Sequence, residues 1–155
     1  MRVARSIGAT VLASVLLLAL AAGMASADEH KLIATDLNHL AIRGYDTVAY
    51  FTDGKAIKGS NNFVYVWGDA RWQFATAVHR DMFAADPDRY APQYGGYCAG
   101  SMAMGDLSIA NPRTWIIVNG KLYMFAGTKL YGPYGPFTAG EIAAADANWR
   151  SRTQH

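Results

Sequence analysis

The chain has 155 residues, of which 14 are Lys or Arg and 12 are Asp or Glu, giving a formal net charge of +2. Two of the basic residues, Arg2 and Arg5, precede all of the acidic ones. The rest of the chain is therefore neutral overall, without the basic surface that nucleic acids or anionic membranes require. We expect neither as a partner.

Residues 1–27 have the pattern of an export signal. Arg2 and Arg5 supply a positive start, an apolar run extends from Val11 to Ala22, and Ala25-Ser26-Ala27 suits signal peptidase. Cleavage after Ala27 would leave a mature protein in the periplasm or outside the cell. The alternative is an uncleaved membrane anchor formed by the same segment.

The remaining residues are enough for one domain with its own core. We expect a flexible tail over 28–38, a domain over 39–150 and a short tail over 151–155. Cys98 is the only cysteine, so no disulfide can form within the chain. A lone thiol in an oxidising compartment points to burial, metal ligation or redox use.

Two antiparallel hairpins are predicted. Phe63–Trp67 and Arg71–Phe74 flank a turn at Gly68-Asp69-Ala70, while Trp115–Val118 and Lys121–Phe125 flank Asn119-Gly120, a strong hairpin signal. The irregular opening over 42–51 could supply an edge strand. We expect an α+β fold in which the two hairpins form one small sheet with two or three short helices packed on it.

Helix boundaries are marked by capping residues. Thr76 is the expected N-cap of a helix through Ala85, with Val78, Met82 and Phe83 on its apolar face. Thr138 and Glu141 have capping-box spacing at the start of the last helix. That helix presents Ile142, Ala145 and Trp149 at helical spacing. The preceding Tyr131–Pro136 segment, a doubled Tyr-Gly-Pro, predicts a surface loop.

The stretch around Cys98 is the candidate site. Gly95 and Gly96 allow a tight turn, and a short helix starting near Cys98 would place the thiol among unpaired backbone N–H groups, which favours thiolate. Met102 follows four residues later and Met104 lies close behind. One thiolate with one or two thioethers is a soft donor set that suits Cu(I).

Histidines are possible further ligands. His79 lies on the border of the predicted helix face, and His39 could approach only through the fold. His30 and His155 lie near the termini, where a solvated tail is expected. The predicted metal ligands are therefore Cys98, Met102, Met104 and His79.

Five ordered blocks resemble the small exported YHS-domain proteins, some of which are labelled selenoproteins. The blocks are Gly44–Phe51, Asp86–Tyr90, Tyr94–Ala99, Asn119–Tyr123 and Ala145–Trp149. YHS domains resemble the TRASH metal-binding modules, which implies heavy-metal handling. The present sequence departs from that pattern in having one cysteine, so a monomer cannot form a closed thiolate zinc site.

The favoured hypothesis is a non-enzymatic module that binds a soft metal ion, such as Cu(I), through Cys98. No nucleophile-elbow, His-Glu-x-x-His or phosphate-loop motif is present to indicate conventional catalysis. One alternative is a thiol redox protein in which Cys98 forms a sulfenic acid or a mixed disulfide. The other is a structural or protein-interaction module with a buried, inert cysteine. The oligomeric state stays open.

Overall fold

The computed structural model describes residues 32–127 and 136–154. The predicted signal segment, His30, His155 and all of the Tyr131–Pro136 loop except Pro136 lie outside these residues. Within the described residues, none of the helices has the length and apolar character needed to cross a membrane.

The α+β prediction is confirmed. Along the chain the elements are α1 (Ala49–Thr52), β1 (Ser60–Trp67), β2 (Ala70–Phe74), α2 (Ala77–Ala85), α3 (Pro87–Tyr90), α4 (Ala99–Ala103), β3 (Asn111–Val118), β4 (Lys121–Phe125) and α5 (Ala139–Thr153). Two 3₁₀ turns, Ile42–Gly44 and Gln93–Gly96, complete the set.

Both hairpins form, and each turn uses left-handed backbone. Gly68 and Asp69 have φ of 59° and 59°, and Asn119 and Gly120 have φ of 51° and 74°. Positive φ at both central residues is the geometry whose twist matches two antiparallel strands. A register shift between Ser60 and Val64 bends the outer part of β1.

The hairpins form two separate two-stranded sheets rather than the single sheet we expected. In each hairpin, one strand also pairs with a residue from outside the hairpin. Leu40 forms a parallel bridge with Arg71 on β2, and Cys98 forms one with Met124 on β4. These contacts place the irregular segments, including the one that carries Cys98, directly against the strands.

The opening over 42–51 forms a 3₁₀ turn and α1 instead of an edge strand. The cause is the buried Asp46 carboxylate. Its Oδ1 accepts hydrogen bonds from the N–H groups of Val48 at 2.9 Å and Ala49 at 3.2 Å. Side-chain acceptors of this kind start a helix by satisfying the first backbone donors.

The predicted helix caps are confirmed. Thr76 accepts from the His79 N–H at the start of α2, and Thr138 and Glu141 form the full capping box of α5. Val78 differs from the prediction, since it is 66 % exposed. The buried side of α2 is centred on Phe83, which shares a helical face with His79 four residues earlier.

Backbone contacts extend beyond both ends of the predicted 39–150 domain. The Ala34 N–H donates to the Gly95 carbonyl at 2.9 Å, so part of the 28–38 segment is held on the domain. At the other end, α5 continues to Thr153. The capping box and the Ala143-Ala144-Ala145 run, which has high helix propensity, support α5.

The core has two parts. The first surrounds Phe83, Trp72 and Phe74 beneath the β1–β2 hairpin. The second contains Cys98 and Met102 with residues of β4 and α5. The candidate thiol therefore belongs to the second core cluster, where α4, β4 and α5 meet.

Candidate thiol site

Backbone hydrogen bonds fix Cys98 at the start of α4. Its N–H donates to the Ser108 carbonyl at 2.9 Å, and its carbonyl accepts from the Met102 N–H at 3.0 Å. Cys98 is the N-cap residue of α4, with φ of −62° and ψ of 118°. The predicted short helix beginning near Cys98 is thus present.

The sulfur lies just beneath the surface. Cys98 is 6 % exposed, and its Sγ accepts a hydrogen bond from the Ala126 N–H at 3.2 Å. Ala126 is itself exposed and Gly100 is half-buried. The thiol is therefore buried, beside the exposed Ala126 and the half-buried Gly100.

The pKa of the Cys98 thiol is lowered from its ordinary value of 9.0. Burial opposes this shift, because it raises the pKa. Hydrogen bonds from the Ser101 side chain and N–H, the Ala126 N–H and the Ser108 side chain outweigh burial. No hydrogen bond of capping geometry joins the Cys98 side chain to the first turn of α4. The hydrogen bond from the Ala126 N–H is therefore the best-defined contact of the sulfur.

Ser101 and Ser108 form a hydroxyl pair beside the sulfur. Their Oγ atoms are 2.6 Å apart, and either can be the donor. Because each hydroxyl has one proton, one proton joins the two serines and the other is available to the thiolate. The pair can therefore deliver a hydrogen bond to negative charge on Sγ. A relay of this kind strengthens as the acceptor gains charge.

The structure brings only part of the predicted metal set together. Met102 is 0 % exposed and shares the second core cluster with Cys98. Met104 is 76 % exposed. The α4 helix ends at Ala103, with Met104 as its C-cap, so Met104 lies where the chain leaves the buried face.

His79 is held elsewhere, by the buried Asp46. Its Nδ1 lies 2.7 Å from Asp46 Oδ2, and its Nε2 lies 3.8 Å from Asp53 Oδ2. Thr52 Oγ1 is 3.4 Å from the same Nε2. This pairing attaches α2 to the segment before α1. His39 is exposed in the loop before the first 3₁₀ turn, where its carbonyl accepts from the Arg71 N–H.

Within the described ranges 32–127 and 136–154, no three His, Cys, Asp or Glu side chains are grouped so as to hold a metal ion. Methionine thioethers are not among these four ligand types. The finding therefore does not bear on a soft-metal site formed by Cys98 and Met102.

Sequence reasoning missed the residues that surround the thiol. Ser101 stands three residues after the N-cap, where a capping partner is expected, so its spacing was a usable signal. Ser108 and Ala126 carry no such signal, because only the fold brings them to Cys98. Asp46 likewise carries no sequence signal of its burial, yet it is 0 % exposed.

The class that fold and site define is a small α+β domain with a buried, hydrogen-bonded thiol. No protein-family model, curated protein or solved structure matches the chain.

Proposed function

We propose that this protein is a thiol redox protein in which Cys98 reacts as a thiolate. The observation that supports it is the set of donors directed at one sulfur, led by the Ala126 N–H at 3.2 Å. An inert structural cysteine needs no such set, because a buried thiol behaves as a small apolar residue. Thiolate is the nucleophilic form of cysteine.

The chemistry follows from having one cysteine. The Cys98 thiolate attacks one oxygen of a hydroperoxide, the O–O bond breaks, and the leaving oxygen takes a proton to become water or an alcohol. Cys98 is thereby oxidised to sulfenic acid while the peroxide is reduced. A thiol of a second molecule then displaces hydroxide from the sulfenic acid, giving a mixed disulfide and water. The chain has no second cysteine to resolve the sulfenic acid itself.

The experiment is a hydroperoxide reaction with the purified protein, read by mass spectrometry with a sulfenic-acid trap. We expect one trapped adduct at Cys98 and none in Cys98→Ser. Ser101→Ala and Ser108→Ala should slow the reaction, because each disrupts the hydroxyl pair that donates to the thiolate. Ser151→Ala, a serine on the exposed part of α5, is the matched control. Equal rates in all three serine variants would refute the role of the donor set.

Gly100 provides a test of access to the sulfur. A Cβ at this position would lie 3.9 Å from Cys98 Sγ and 3.9 Å from Phe125 Cδ1, which is ordinary contact. Gly100→Ala should therefore fold normally. Gly100→Val places more atoms beside the sulfur and should slow peroxide oxidation severalfold relative to Gly100→Ala. An unchanged rate would show that reagents reach Cys98 from another side.

Soft-metal binding is the second candidate, favoured by Met102 lying in the same buried cluster as Cys98. The two would supply a thiolate and a thioether, the donors that Cu(I) prefers. Anaerobic Cu(I) titration should then show binding that Cys98→Ser abolishes and Met102→Leu weakens. Met104→Leu should have no effect, because Met104 is largely exposed. Identical binding by wild type and Cys98→Ser would exclude this candidate.

Export and membership of the YHS group belong to the same proposal. Residues 1–27 and the five sequence blocks support them. Expression with the intact amino terminus should yield a protein beginning at Asp28 in the exported fraction. A protein that keeps its first residues and sediments with membranes would favour the anchor alternative.

A further inference from the structure

A group of polar side chains lies where the end of α1 meets the start of α2. His79 of α2, Thr52 at the end of α1 and Asp53, the C-cap residue of α1, place polar atoms close to one another. The α2 helix packs through Phe83 on the first core cluster, whereas Cys98 belongs to the second. The group is therefore separate from the thiol site.

The buried Asp46 carboxylate fixes the position of the proton on the His79 ring. Its two oxygens accept hydrogen bonds from the N–H groups of Val48, Ala49 and Ala75 and from His79 Nδ1. Because an ionised carboxylate can only accept, the proton of the neutral ring lies on Nδ1. The Nε2 atom of His79 then carries a lone pair on the side away from Asp46.

This lone pair faces two further acceptor atoms. Thr52 Oγ1 is 3.4 Å from Nε2, and Asp53 Oδ2 is 3.8 Å from it. The single Thr52 hydroxyl proton has shorter acceptors elsewhere, in Asp53 Oδ2 at 3.1 Å and the Val48 carbonyl at 3.2 Å. Acceptor atoms that face one another without a hydrogen between them repel, and a cation between them removes that repulsion.

The three atoms have the spacing of ligands around one metal ion. Their separations are 3.1, 3.4 and 3.8 Å. Two ligands at about 2.1 Å from a tetrahedral ion are about 3.4 Å apart. An ion at about 2.0 Å from all three atoms therefore fits without movement of the chain. Asp46 also fits, because a metal-bound histidine commonly donates its other N–H to a carboxylate.

Solvent has access to this group. Thr52 and Asp53 are exposed, and the His79 side chain is 13 % exposed. A Cβ at Gly54 would meet nothing within 4 Å. Water can therefore reach the ion and complete its coordination. Among the described residues, the one ionic contact of the Asp53 carboxylate is with His79.

We propose that His79, Asp53 and Thr52 bind a divalent transition-metal ion of the Zn²⁺ class, with water in the remaining position. Imidazole and carboxylate together suit Zn²⁺, whereas Mg²⁺ and Ca²⁺ take oxygen ligands. Only two of the three side chains belong to the His, Cys, Asp and Glu set whose groupings were considered above. The third ligand is a hydroxyl, so binding depends mainly on His79 and Asp53.

The test is an NMR titration of the purified Cys98→Ser protein with Zn²⁺, followed through the ring nitrogen signals of its histidines. The serine removes the thiol, so a soft-metal site at Cys98 cannot contribute. We expect a saturable shift at His79 Nε2 with the Nδ1 proton retained, and no shift with Mg²⁺. No response to Zn²⁺ at His79, or an equal response to Mg²⁺, would overturn the proposal. A ring that stays protonated at Nε2 as Zn²⁺ is added would overturn it too, because the cation at this point would then be a proton.

Asp53→Asn should weaken Zn²⁺ binding by at least about tenfold, because it removes the charged oxygen ligand. Asp81→Asn is the matched control, since it removes the same charge from an exposed residue of α2 that is paired with Arg80. Neither substitution alters the buried Asp46 carboxylate. Equal losses in the two variants would indicate a general charge effect and overturn the assignment.

A second pair of variants tests the hydroxyl. Thr52→Ser keeps the oxygen and should bind Zn²⁺ as wild type does, whereas Thr52→Val has nearly the same shape and should bind severalfold more weakly. Equal binding by these two variants would overturn the three-ligand assignment. None of these outcomes bears on Cys98, so the thiol proposal is tested separately.

Discussion

Replacing Asp46 by alanine is expected to lower the free energy of unfolding by about 3–5 kcal/mol. The carboxylate is 0 % exposed. It accepts from the N–H groups of Val48 and Ala49, from the Ala75 N–H at 2.8 Å and from His79 Nδ1 at 2.7 Å. Removing it leaves several buried donors without a partner.

Urea unfolding, followed by tryptophan fluorescence, measures this loss. Asp46→Asn should cost less than alanine, because its amide oxygen can still accept part of the set. Asp53→Ala is the matched control: its carboxylate is 43 % exposed and faces the other side of His79. We expect a loss below about 1 kcal/mol there. An Asp46→Ala protein as stable as wild type would show that the buried carboxylate does not organise this region.

The second large effect is expected for Phe83→Ala, at about 3–5 kcal/mol. Phe83 is 0 % exposed, and its ring lies 4.9 Å from that of Trp72 and 5.2 Å from that of Phe74. The substitution opens a cavity where α2 packs on the β1–β2 hairpin, because the neighbouring rings cannot close the space.

Val78→Ala on the same helix is its control. Val78 is 66 % exposed, so its truncation should change the free energy of unfolding by less than about 0.5 kcal/mol. Comparable losses at the two positions would mean that the buried face of α2 is not the one centred on Phe83. Both variants can be measured in the same urea titrations.

Local signals in the sequence predicted much of the fold. The Asn119-Gly120 turn and the Thr76 and Thr138 caps act over a few residues, so pattern alone identified the hairpins and the longer helices. The separation of the hairpins into two sheets was not predictable in this way. It depends on Leu40 and Cys98 pairing with strands that lie far from them along the chain.

The candidate site shows the same division. Cys98 could be singled out as the lone thiol, and its sequence allows a short helix to start near it. Its best-defined hydrogen bond comes from Ala126, which is 28 residues away. His79 was assigned to the site by type, but its actual partner Asp46 lies 33 residues away. Side-chain contacts over such distances depend on the tertiary fold.

The most direct test of the proposed function is the pKa of the Cys98 thiol itself. Thiolate ultraviolet absorbance can be followed against pH, with Cys98→Ser subtracted so that the tyrosines cancel. Since the chain has no other cysteine, the difference belongs to one residue. The donor set predicts a pKa midpoint below that of an unperturbed cysteine, moving back toward it in Ser101→Ala and Ser108→Ala. A wild-type midpoint at or above that of an unperturbed cysteine would contradict a stabilised thiolate.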